Sequence, residues 1–203
     1  MTDPLLKYRE QHKHRLNYMP WLYWSLKPKH REWAEQWQAE YQAYLLEMET
    51  VEIGENCFIS PLAHIFAERG RKISIGDNTF IAADCTLHGP LQIGNEVAIN
   101  HHCILDGGRA GIKLHDQVRI AAYSHLYAFD HGMDLERPIY QQAVTSKGIE
   151  IGQDVWLGAH VGIKDGVKIG DHAVIGMNSM VTKDIDKHAI VAGNPARLIR
   201  YRK

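Results

Sequence analysis

The sequence predicts a mainly β protein, a parallel β-solenoid over residues 51–203 behind an α-helical appendage over residues 1–50. Three observations carry that expectation. Apolar residues recur once every six positions, the hexads group into coils of 18 residues, and before Val51 the periodicity is helical instead.

In the appendage, Trp33, Trp37, Tyr41, Tyr44, Leu45 and Met48 fall at three- and four-residue steps with Glu, Gln and Arg between them. That is the spacing of an amphipathic helix over residues 30–49. Pro20 and Pro28 break whatever precedes it. The aromatic run from Tyr18 to Trp24 (YMPWLYW) is expected to pack on the protein's own body, with peripheral contact to a membrane surface as the alternative. The helices are expected to cap the coil stack and shield its open strand edge.

From Val51 on, each hexad begins with Ile, Leu or Val and places a small or β-branched residue fifth: IGENCF at Ile53, IAADCT at Ile81, IGNEVA at Ile93, INHHCI at Ile99 and an unbroken run from Ile151 to Asp186. A period of six without hairpin signals predicts a strand-and-turn unit that never reverses, three to a triangular coil. Corresponding starts at Ile53, Ile75, Ile93, Leu114, Ile151 and Ile169 are 22, 18, 21, 37 and 18 residues apart, so insertions of 4, 3 and 19 residues interrupt the coils. Stacked at about 4.8 Å, six or seven coils make a prism roughly 30 Å long. The glycines of the IG starts are expected to ease the coil's corners.

Composition narrows the function. With 45% hydrophobic and 23% charged residues the chain has material for a core, and a net charge of -1 gives no overall pull toward nucleic acid. No apolar run is long enough for a transmembrane segment, and none follows the early basic residues as a signal peptide requires, so a cytoplasmic protein is expected. Cys57, Cys85 and Cys103 each take the fifth, small-residue slot of a hexad, which marks them as packing thiols in a reducing compartment. Among the 13 histidines no set lines up across neighbouring coils as metal ligands, so no metal is expected.

Insertions in a solenoid are where function concentrates, and the longest lies between Leu114 and Ile151. It contains AFDHGMDLERPIYQQ, followed by GIEIGQDVWLGAHVGIKDGV and, further on, VTKDIDKHAIVAGNPARLIR. These stretches resemble the active-site loop, cofactor coils and C-terminal turn of the hexapeptide-repeat acyltransferases, in particular bacterial sugar, galactoside and maltose O-acetyltransferases. The likeness covers residues from about 51 to 203.

The resemblance implies a left-handed parallel β-helix, usually trimeric, with an active-site loop at about 131–149. It implies acetyl-CoA as acyl donor and a sugar or glycan precursor as acceptor. His131 takes the position of the general base, in preference to His125, which sits sixth in the hexad IAAYSH. Asn100 and Asp106 are implied on the acceptor side. Trp156, Ala159 and Met177 are implied along the pantetheine arm, and Thr182, Lys183, Arg197 and Arg200 at the phosphates. Met177 and Asn178 depart from the small pair usual at that groove. An imidazole suits proton transfer at neutral pH, its ordinary pKa being about 6.5. The expected reaction is direct O-acetylation without an acyl-enzyme. The alternatives are an amino-sugar N-acetyltransferase of the same fold or a metalloenzyme like the gamma-class carbonic anhydrases, to which LHGP at Leu87–Pro90 has some local likeness.

Overall fold

The computed structural model describes residues 4–203. Helix α1 spans Pro4–Tyr18, a short 3-10 turn spans Pro20–Leu22, and α2 spans Pro28–Met48. From Val51 the chain winds through three parallel sheets that form the faces of a prism. Face A holds Val51–Ile53, Ile73–Ile75, Leu91–Ile93, Ile112–Leu114, Ile149–Ile151 and Lys168–Ile169 in that order. Face B runs from Phe58–Ile59 to Val174–Ile175 and ends in Ala189–Ala192, against which Arg197–Tyr201 turns back antiparallel. Face C runs from His64–Phe66 to Met180–Val181.

The hexad spacing sets this register. Ile53 pairs with Ile75, Ile75 with Ile93, Ile93 with Leu114, Leu114 with Ile151 and Ile151 with Ile169. Each inward residue therefore rests on its equivalent one coil below, and the core is a ladder of buried Ile, Leu and Val. The fifth-slot residues Cys57, Ala63, Thr79, Cys85, Val97, Cys103, Ser124, Val155 and Ser179 are all buried within it. The Cys103 hydrogen bond and burial both push the Cys85 thiol far up, so it packs as a neutral group.

The corners depart from the sequence expectation. Positive φ falls on the fourth residue of the hexads, such as Asn56 (φ 54), His102 (φ 59) and Tyr123 (φ 63), and the second-position glycines of the IG starts do not share it. Those glycines serve close approach instead: a Cβ on Gly94 would lie 2.8 Å from the Asp116 amide nitrogen of the next coil. The left-handed residues are held by stacking from coil to coil. Asn56 donates to Asn78 at 2.7 Å, and the His102, Tyr123 and His160 rings stack at 4.7 and 4.9 Å.

The helices close the first coil. Gln38, buried in α2, donates to the Ile59 carbonyl at 3.1 Å and accepts from the Ile59 amide at 2.8 Å. It thereby substitutes for the strand that the edge lacks. Gln42 donates to the Cys57 carbonyl at 3.0 Å, and Glu49 accepts from the Ala67 amide at 2.7 Å. Along α2 the apolar stripe is narrower than the spacing predicts, with Trp33 and Leu45 buried and Tyr44 and Met48 exposed. The aromatic run packs inward as expected: Tyr23 meets Phe58 at 5.4 Å between ring centres and Trp24 meets Phe80 at 6.1 Å, while Trp21 stays half exposed. No helix among the described residues is long and apolar enough to cross a membrane.

Candidate active site

All three insertions emerge at the same edge of the prism, where a strand of face C hands over to face A. They follow His64–Phe66, Ile104–Asp106 and His125–Tyr127. Since each coil lies on the previous one, segments distant in sequence meet there and enclose a cavity of about 540 Å³. Arg71 comes from the first insertion, Gly108 and Arg109 from the second, and Phe129, Val144 and Ser146 from the third. Asp106 and His88 supply the floor from adjacent strands.

Asp106 is half buried. One carboxylate oxygen accepts from the Gly108 amide at 3.0 Å, so the residue shapes its turn, while the other faces His88 Nδ1 at 3.4 Å. The far ring nitrogen of His88 lies 3.1 Å from Glu68, which Arg71 bridges at 3.0 Å. Glu68 is held below the ordinary carboxylate range by its own backbone amide first and then by the His88 hydrogen bond. Arg71 also donates to the carbonyls of Gly89 and Gly108, at 2.9 and 2.7 Å, tying three successive coils together. Arg71, His88, Arg109 and Phe129 escaped the sequence argument. The signal available was positional, because each insertion follows the third hexad of its coil.

The longest insertion is an arm pinned at its base. Asp130 and Thr145 exchange backbone hydrogen bonds at 2.9 Å, and Ser146 Oγ accepts from the Arg109 and Ala110 amides at 3.0 and 2.9 Å. Buried Asp165 accepts from the amides of Lys147 and Gly148, and Lys164 reaches Asp130 at 3.1 Å. Within the arm, Gln142 binds the backbone of Asp134 and Arg137. His131 sits just beyond the pinned base. It is exposed and makes no hydrogen bond among the described residues, and its ring lies 6.3 Å from that of Phe129 on the cavity wall. His125 projects from face C in register with Ile104 and Gly162.

The remaining predicted residues lie elsewhere. Asn100, Ala159 and Met177 all occupy the edge between faces B and C. There Asn100 donates to the Ile120 carbonyl at 2.8 Å, and the Asn178 amide donates to Ala159 at 2.9 Å. Met177 is 63% exposed, so it stands out from the edge rather than filling it. Gly158 is required beneath it, since a Cβ would lie 2.6 Å from the Met177 nitrogen. Trp156 projects from face B between Arg119 and Val174. Thr182, Lys183 and Arg197 share a cavity of about 360 Å³ at the C-terminal end, which Arg200 does not line. Its carboxylates are already engaged, Asp184 by the Lys168 amide at 2.8 Å and Asp186 by the Tyr201 hydroxyl at 3.3 Å. Lys183 has no ion-pair partner among the described residues. No three His, Cys, Asp or Glu side chains converge among those residues as a metal site would require.

Comparison with known proteins places this architecture. The family model for the bacterial transferase hexapeptide, six repeats, matches residues 148–183. Galactoside O-acetyltransferase of Escherichia coli strain K12 is 31% identical over 165 residues, which cover 80% of this chain and 70% of that protein. A relative from Saccharomyces cerevisiae is 36% identical over 117 residues, 57% of this chain and 58% of the relative. Among solved structures, a mutant of the Bacillus cereus N-acyltransferase AntD, in complex with dTDP and coenzyme A, superposes with a TM-score of 0.72. It is 31% identical, covering 80% of this chain and 90% of that one. Galactoside acetyltransferase in complex with coenzyme A gives a TM-score of 0.59 at 26% identity, over 98% of this chain and 84% of that one. With this likeness across most of the coil stack, the chain belongs to the hexapeptide-repeat acyltransferase family, enzymes built on a left-handed parallel β-helix.

Proposed function

We propose that the protein transfers an acetyl group from acetyl-CoA to a hydroxyl of a sugar or glycan precursor, with His131 as general base, at sites shared between the prisms of a homotrimer. One observation carries the reading. His131 and the Asp106 cavity lie at the edge between faces C and A, whereas Asn100, Ala159 and Met177 lie at the edge between faces B and C. A single prism holds these halves apart, and a second copy packed beside it brings one edge of each together.

In this reading residues 51–203 form the transferase unit and residues 1–50 cap it. The acceptor hydroxyl gives its proton to His131 as its oxygen attacks the thioester carbonyl. The tetrahedral oxyanion then collapses, the carbon–sulfur bond breaks, and the departing thiolate takes the proton back from His131. Asp106 orients the acceptor with His88 and Arg109 around it. Ala159 and Met177 border the pantetheine arm beside Trp156, and Thr182, Lys183 and Arg197 hold phosphate by charge-assisted bonds. Arg200 joins them only if its side chain swings away from Tyr201. Three unpaired thiols fit a cytoplasmic setting.

A second reading, acetylation of an amino sugar, is favoured by the likeness to AntD, an N-acyltransferase seen with a nucleoside diphosphate. Thiol release from acetyl-CoA against hydroxyl sugars, nucleotide sugars and amino sugars separates the two. The shared site has its own test. His131→Ala and Asn100→Ala chains, each inactive alone, are unfolded and refolded together, and about a quarter of wild-type activity should return, since random mixing restores both halves in one site out of four. Failure of the mixture to regain activity while it still forms trimers would place the whole site in one chain.

A further inference from the structure

A second cavity, of about 360 Å³, lies among α1, the Pro20–Leu22 turn and the start of α2, away from the residues assigned to acyl transfer. His12 and Arg15 of α1 line it opposite Lys27, Lys29 and His30, and no carboxylate among the described residues does so. Leu16, Leu22 and Leu26 give it an apolar wall. The basic lining belongs to a wider asymmetry. Residues 4–31 carry seven Lys or Arg against Glu10 alone, whereas the whole chain has 23 Lys or Arg against 24 carboxylates.

Several features make this convergence costly without an anion. The rings of Tyr8, His12 and His30 crowd within 4.2 to 5.4 Å of one another. Burial first, then His30 and Arg15, hold His12 below the ordinary imidazole range. The first turn of α2 has no acidic residue and Lys27 provides no side-chain cap, so the positive end of the helix dipole adds to the like charges around it. Behind the lining, Trp33, edge-on to His12 at 6.4 Å, is buried with an indole N–H that has no partner among the described residues. Local arrangements that oppose folding in this way concentrate at functional sites.

We propose that this cavity binds a phosphate ester bearing an apolar group. The guanidinium of Arg15 and the ammonium groups of Lys27 and Lys29 match a compact dianion with several acceptor oxygens, and the leucine wall takes the apolar part. The source is either a lipid headgroup or a free phosphorylated metabolite. This site stands independently of the acetyl-transfer reading.

Calorimetry of the full chain tests it, with dihexanoyl phosphatidic acid below its micelle-forming concentration and with inorganic phosphate as probes. Saturable binding of the phosphatidic acid is expected, at least about tenfold tighter than inorganic phosphate. The double variant Arg15→Gln, Lys29→Gln is expected to weaken it by at least about tenfold without altering the melting temperature, since both side chains are exposed. Flotation with phosphatidylglycerol vesicles, against phosphatidylcholine alone, distinguishes the sources. Retention of wild type but not of the double variant assigns a lipid surface, and binding of the soluble ester without retention assigns a free metabolite. No saturable heat with phosphatidic acid, or equal binding and retention by wild type and variant, overturns the proposal.

Discussion

Leu126, which has no exposed surface, lies five positions before His131, which is exposed and makes no hydrogen bond among the described residues. Leu126 is locked between Leu105 below and Ile163 above in the ladder of face C. The arm that carries His131 touches the prism chiefly at its base, through Ser146, Asp165 and Lys164. The stack is thus held by apolar burial repeated coil after coil, and the arm by a few polar contacts at its root. Its tip is left free for partners outside the chain. On the proposed function, chemistry and stability fall to different residues, because a side chain fixed on all sides by the core has no face left for a substrate.

Substitutions can test that separation, beginning with the largest effect. His131→Ala is expected to lower turnover by about 10²- to 10⁴-fold, the usual worth of a general base, with the thermal midpoint unchanged. A fall in the midpoint alongside activity would mean that the arm supports the stack after all. Leu126→Ala reverses the pattern. It should cost about 2–5 kcal/mol in denaturant unfolding, from lost burial and the cavity left behind, and reduce activity only as the fold is lost.

Gln38→Ala probes the capped end of the prism. It leaves the buried N–H and C=O of Ile59 without partners, a loss of about 1–3 kcal/mol, and should raise hydrogen exchange in the first coil above that of the last. Equal exchange at both ends would show that α2 does not guard the edge. The smallest effect expected is on acid stability. The hydrogen bond to His115, followed by the charges of His115, Lys113 and Lys168, holds Glu150 below its ordinary value of 4.5. A carboxylate depressed in the folded state contributes stability that is complete above that value and disappears as pH falls through the lower, folded one. Glu150→Gln should therefore flatten the acid limb of stability against pH, while leaving the neutral region nearly unchanged because the pair is exposed.

Much of this organisation is legible in the order of residues. The spacings that separate Ile53, Ile75, Ile93, Leu114, Ile151 and Ile169 are the pairings of face A, insertions included. Cys57, Cys85 and Cys103 are buried where the fifth slot puts them. The role of the IG glycines was less legible, because a glycine needed for positive φ and one needed for close approach look alike until the next coil is in place. Gln38 is a similar case. Helical spacing marks it as a polar residue beside the apolar stripe, and only the open edge of Ile59 explains why it is buried.

A repeat specifies its own register, since each apolar residue must be covered by its equivalent a coil away and a slip would expose the whole ladder. The sequence alone therefore determined the solenoid, its insertions and the place of His131 on the longest of them. The place of each insertion after the third hexad of its coil also put all three at one edge, whereas tertiary structure alone decided that their side chains enclose Asp106 and that His12 and Arg15 meet Lys27 and Lys29. Insertions and helix surfaces carry no period, so their meeting depends on how coils stack and helices pack, which spacing along the chain does not encode.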